Sequence, residues 1–84
     1  MTYSVKWHPQ AYKVLEKLPQ EIINRTLEKL DKVLEDPFRF LEHYEGENLY
    51  KLRIGDYRAL VEVKFQEKLL LIQVFDHRSK VYNR

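Results

Sequence analysis

Three cations, Lys51, Arg53 and Arg58, flank a Gly55-Asp56 pair, and a second reactive stretch, Asp76-His77-Arg78-Ser79-Lys80-Val81-Tyr82, follows near the C-terminus. This set of side chains suits RNA. A guanidinium holds phosphate through a planar fork of N–H donors. A tyrosine stacks on an unpaired base. A histidine or a lysine moves protons when its surroundings tune its basicity. Other chemistries lack their residues. His8, His43 and His77 show no metal-ligand spacing and have no paired carboxylates beside them. There is no Gly-rich phosphate loop and no nucleophile elbow. No metal and no cofactor is expected.

The elements that must position these residues can be read from the patterning. Tyr3-Ser4-Val5-Lys6-Trp7 alternates apolar and polar residues and predicts a short strand. His8-Pro9 ends it, with Pro9 suited to a first helical position. Ala11, Tyr12, Leu15 and Leu18 follow helical spacing, and Pro19 opens a second helix striped by Ile22, Ile23, Leu27, Leu30, Val33 and Leu34. Pro37 ends that helix, because the residue before a proline is pushed out of the helical region. Phe38 to Asn48 reads as a loop whose aromatics, Phe38, Phe40 and Tyr44, tuck under the edge of the core. Three strands follow, at Leu49–Ile54, Tyr57–Lys64 and Leu69–Phe75, with Gln66-Glu67-Lys68 as the turn before the last. The expected fold is α+β: an N-terminal strand, a helical hairpin, then a three-stranded antiparallel meander. The helices pack on one face of a mostly antiparallel sheet.

A two-residue Gly55-Asp56 loop sets the register of the first two strands of the meander. Ile54 faces Tyr57, Arg53 faces Arg58, Leu52 faces Ala59 and Lys51 faces Leu60. Side chains alternate between faces. One face then carries Tyr50, Leu52, Ile54, Tyr57, Ala59, Val61 and Val63 and must meet the helices. The other carries Lys51, Arg53 and Arg58. Like charges opposed across two strands destabilise by a few tenths to about 1 kcal/mol, and a local rule broken without compensation marks a place to look for function. Within the hairpin no carboxylate neutralises the trio; Glu62 shares the face about four positions from Arg58.

Composition narrows the class. The 84 residues are 44% hydrophobic and 33% charged, which predicts a single globular domain over residues 1–84, not a disordered or membrane-embedded chain. The first residues, Met1-Thr2-Tyr3-Ser4-Val5-Lys6, have no long apolar run of the kind a secretory signal carries. The absence of cysteine excludes disulfides and cysteine-based zinc sites and makes the cytoplasm the expected compartment. Residues 1–48 carry seven Lys/Arg against nine Asp/Glu, whereas residues 49–84 carry eight against four, so the positive charge lies in the C-terminal part. An anionic partner is expected there.

The chain resembles the RelE-like branch of the RelE/ParE toxin superfamily. The resemblance is carried by Leu18-Pro19 between two helices, by Leu49-Tyr50-Lys51-Leu52-Arg53-Ile54-Gly55-Asp56-Tyr57-Arg58, and by the Asp76-to-Tyr82 stretch. It spans essentially the whole chain. It implies a type II toxin that enters the A site of the ribosome, against 16S-type ribosomal RNA, and cuts the exposed messenger RNA without a metal. In that chemistry the 2′-hydroxyl of the substrate attacks its neighbouring phosphate, giving a cyclic phosphate and a free 5′-hydroxyl. The implied catalytic set is Lys51 and Arg53 on the basic strand, Arg58 on the charged phosphate, Arg78 near the leaving oxygen and Tyr82 stacking on a base. Arg53 stands where some relatives carry a second lysine, and an arginine is in effect always protonated. The proton shuttle therefore falls to Lys51 or His77. The implied partner is a RelB-like antitoxin, with the toxin alone monomeric and a heterotetramer with the antitoxin as one assembly. Two other readings share the fold: a ParE-like poison of DNA gyrase, and a ribosome- or RNA-binding member without catalysis.

Overall fold

The computed structural model describes residues 2–80. Strand β1 (Ser4–Trp7) leads through His8 into helix α1 (Pro9–Glu16). The His8 Nδ1 accepts from the Gln10 N–H at 3.2 Å, and Pro9 fills the first helical turn, where its missing N–H is harmless. Helix α2 (Gln20–Glu35) turns back after Leu18-Pro19. Its buried face differs from the expected stripe at one place. Leu27 points outward at 47% exposure, and the position turned to the sheet is Thr26, fully buried. Thr26 can occupy it because its hydroxyl donates to the Ile22 carbonyl at 2.8 Å, so no polar group is stranded.

Beyond Pro37 the chain departs from the expected loop. Pro37–Phe40 forms one helical turn (α3), and Glu42–Glu45 forms an edge strand (β2) with Glu42 opposite Lys51 and His43 opposite Tyr50. All four β2 residues are exposed. A polar edge strand carries no apolar alternation, and glutamate is a poor strand former, so the pairing is invisible in the local pattern. Of the aromatics of this segment, Phe40 is half-buried against the core edge as expected, and the other two are not tucked away. Phe38 and Tyr44 are 47% and 38% exposed, and Phe38 stacks on Phe65 at 5.7 Å between centroids.

Strands β3 (Leu49–Ile54), β4 (Tyr57–Lys64) and β5 (Leu69–His77) complete a five-stranded sheet of order β1-β5-β4-β3-β2. The β1–β5 pair is parallel and the rest antiparallel, so the meander has four strands rather than three. The helices cover one face, and the α+β arrangement is as expected. Across β3 and β4 the partners are Ile54–Tyr57, Arg53–Arg58, Leu52–Ala59 and Lys51–Leu60, as the two-residue turn requires. Leu52, Ile54, Ala59, Val61 and Val63 are all buried under the helices beside Leu30 and Val33. Each large side chain so buried contributes about 1.5–3 kcal/mol. The Arg53–Arg58 opposition costs at most about 1 kcal/mol, so the core holds the register and the cations follow it.

One irregularity lies between β4 and β5. Leu60 pairs with Val74 but Val61 pairs with Ile72, leaving Gln73 as an extra residue. This bulge resets the alternation of β5. It places Phe75 in the core opposite Ala59 and sets Asp76 opposite Arg58 on the open face.

Candidate functional site

The β3–β4 turn is the foundation of the site. Gly55 has φ +59°, a left-handed conformation a two-residue hairpin needs and other residues resist. The Arg58 side chain folds back on this turn. Its Nη1 donates to the Gly55 carbonyl at 2.8 Å and to the Tyr57 carbonyl at 2.9 Å. One end of the guanidinium is thus anchored, and the other nitrogens remain as donors. Arg53, directly across, is exposed.

Lys51 sits two residues along β3, on the same face. Its Nζ lies 3.6 Å from a carboxylate oxygen of Glu42 on β2. Both groups are solvent-accessible, so this pair contributes about 0–1 kcal/mol to stability. Phe40, Glu42, Lys51, Leu52, Arg53 and Arg58 together line a shallow cleft of about 60 Å³. The Lys29 ammonium lies 4.6 Å from the centroid of the Phe40 ring and the Arg39 guanidinium carbon 5.8 Å away, which extends positive charge past the rim.

The structure therefore brings Lys51, Arg53 and Arg58 together. It also supplies carboxylates that the hairpin alone did not show: Glu42 beside Lys51, and Asp76 in register with Arg58. The trio is therefore partly compensated. The Asp76 carboxylate also accepts the His77 N–H at 2.8 Å. Glu42 is the functional candidate the sequence reading missed. The available signal was its position across a turn from β3, with Gly46 at φ +64° between them.

His77 is not part of this cluster. It pairs with Tyr57 on the opposite face of the sheet and meets that ring edge-on, with centroids 5.6 Å apart. Its Nδ1 takes the Ser79 N–H at 3.2 Å and lies 3.0 Å from the Ser79 hydroxyl. In the neutral ring this leaves the proton on Nε2. Arg78 leaves β5 at the hairpin tip, its N–H donating to the Asp56 carbonyl at 2.8 Å, with an exposed side chain. Tyr82 lies outside the described residues.

Cations converging on an open cleft, with a carboxylate at the rim, can hold a phosphodiester and stabilise charge that develops on it. Known proteins resemble this chain over most of its length. The family model for the ParE toxin of type II toxin–antitoxin systems (parDE) matches residues 5–82. The archaeal RelE–RelB complex from Pyrococcus horikoshii OT3 contains a chain 34% identical, with a TM-score of 0.82, covering 95% of this chain and 99% of that one. The RelBE2 toxin–antitoxin complex of Mycobacterium tuberculosis matches at 26% identity and TM-score 0.81, covering 93% of this chain and 100% of that one. The isolated Escherichia coli RelE toxin, at 24% identity, shares the fold with a TM-score of 0.77 over 96% of this chain and 92% of that one. No curated protein sequence matches. The chain, with its helical hairpin laid on a cation-bearing sheet, belongs to the RelE/ParE superfamily of type II toxin–antitoxin toxins, in its RelE-like branch.

Proposed function

We propose that this toxin is a metal-independent endoribonuclease that works in the cytoplasm, cutting messenger RNA in the ribosomal A site and so stopping translation. The observation that carries the reading is the convergence of Lys51, Arg53 and Arg58 on one cleft of the open sheet face. Attack of a 2′-hydroxyl on the adjacent phosphorus builds negative charge on the phosphoryl oxygens. Fixed cations answer that charge without reorganising. Arg58, restrained by its own turn, presents its free N–H groups to those oxygens; Arg53 and Lys51 supply the flanking charge. Arg78, at the hairpin tip, and Tyr82 are assigned to the leaving oxygen and to a stacked base. The ribosome supplies the unpaired messenger and 16S-type RNA on which a small basic domain docks.

A RelB-like antitoxin is the proposed partner. The Pyrococcus and Mycobacterium relatives were solved as toxin–antitoxin complexes, and an acidic segment laid over the open face would meet the same cations. The second reading, a ParE-like gyrase poison, draws on the ParE description of the matching family model. One experiment separates them. Purified toxin is added to a cell-free translation reaction with a defined messenger, and 5′ ends are mapped by primer extension with and without ribosomes. Ribosome-dependent cuts that disappear in Arg58→Ala support the nuclease. Intact messenger and continuing translation, with gyrase inhibited in a supercoiling assay, support the poison.

A further inference from the structure

The nuclease reading lacks a proton acceptor, and the cleft contains one. Of its six lining residues, Phe40 and Leu52 are apolar, and Lys51, Arg53 and Arg58 are cations. A protonated lysine or arginine has donors and no acceptor. His77 faces the other side of the sheet, and its Nδ1 lone pair is held by Ser79. Among the described residues that line the cleft, Glu42 is the one anion. Pairing of β2 with β3 holds it there, opposite Lys51, and the ammonium 3.6 Å from one carboxylate oxygen orients the group and leaves the second oxygen available. The side chain is 70% exposed, so a substrate hydroxyl can reach it.

We propose that Glu42 is the catalytic base of the RNA cleavage assigned above, and the inference rests on that reading. The Glu42 carboxylate takes the proton of the 2′-hydroxyl as that oxygen bonds to phosphorus. The bond from phosphorus to the 5′-oxygen breaks, and the electron pair leaves with that oxygen, which takes a proton from water. The products are a 2′,3′-cyclic phosphate and a 5′-hydroxyl. Glu42 then gives its proton to the hydroxide left in solvent, which restores the starting state. Lys51 acts in this scheme as the group that positions the base and adds positive charge beside the phosphate.

The test uses single-turnover cleavage of a defined messenger on programmed ribosomes, with toxin–ribosome binding measured by co-sedimentation. Glu42→Gln keeps the shape and removes the basicity. It is expected to bind within about fivefold of wild type, because an exposed ion pair contributes little. It should cut at least about 100-fold more slowly, the usual loss when a general base is removed. Added carboxylates separate a base from a mere partner for Lys51. With Glu42→Ala, acetate should restore more activity than formate, following basicity rather than size. A Glu42→Gln rate within about fivefold of wild type overturns the assignment, and so does rescue that ignores basicity. A wild-type protein that binds ribosomes and leaves the messenger intact overturns the nuclease reading itself.

Discussion

Replacing Arg58 by alanine should separate chemistry from folding. In the folded chain the guanidinium makes hydrogen bonds of 2.8 and 2.9 Å to the Gly55 and Tyr57 carbonyls, faces Arg53 across β3, and lies in register with Asp76 on β5. Each of those hydrogen bonds contributes about 0.5–1.5 kcal/mol net, and less where water can replace the donor. Loss of the Arg53–Arg58 repulsion returns up to about 1 kcal/mol. The terms oppose each other and leave a net destabilisation on the order of 1 kcal/mol, which for an 84-residue chain lowers Tm by about 4–8 °C. The catalytic loss should be larger. Removing one preorganised donor at a developing oxyanion costs about 2.7–4 kcal/mol, or on the order of 100- to 1,000-fold in rate. Single-turnover cleavage on programmed ribosomes, beside thermal denaturation of the same preparation, measures both. Arg58→Lys should recover only part of the rate, because an ammonium keeps the charge but loses the fork. A cleavage rate within about fivefold of wild type, with the protein folded, would refute the role given to Arg58, since a preorganised phosphate donor is worth far more than that.

Three further outcomes follow from the same geometry. Gly55→Ala should cost about 1–2 kcal/mol in urea denaturation, because its φ is +59° and no neighbour lies within 4 Å of an added Cβ, so the whole penalty is backbone strain. Arg53→Gln should flatten the salt dependence of single-stranded RNA binding, lowering the slope of log K against log salt by about 0.7, as loss of one phosphate contact requires; an unchanged slope in a filter-binding series would remove Arg53 from the interface. Deleting Gln73 should leave the protein folded by circular dichroism, because Ile72 and Phe75 then stand two residues apart and regular alternation sends both inward; loss of folding would refute the reading of Gln73 as the extra residue.

The amino-acid sequence by itself determined the hairpin and what it displays. A two-residue turn at Gly55-Asp56 admits one register, and a side-chain period of two then sends Leu52, Ile54, Ala59, Val61 and Val63 inward and Lys51, Arg53 and Arg58 outward. The helical hairpin was equally legible, because prolines at positions 9, 19 and 37 mark its limits and apolar spacing marks its buried face. These are local rules, and local residues satisfy them. Three features depended on contacts between distant segments. Thr26 rather than Leu27 fills the α2 interface because a hydroxyl bonded within the helix is admissible in the core, and the packing angle of the helix on the sheet selects the position. Strand β2 exists because β3 offers a free edge, and through that pairing Glu42 meets Lys51. The bulge at Gln73 has no signature in its own residues. It arises because Ile72 and Phe75 must both reach the core, and an odd spacing can point both inward only if one residue is left out of the alternation. That single extra residue sets Asp76 opposite Arg58 and turns His77 away from the cations.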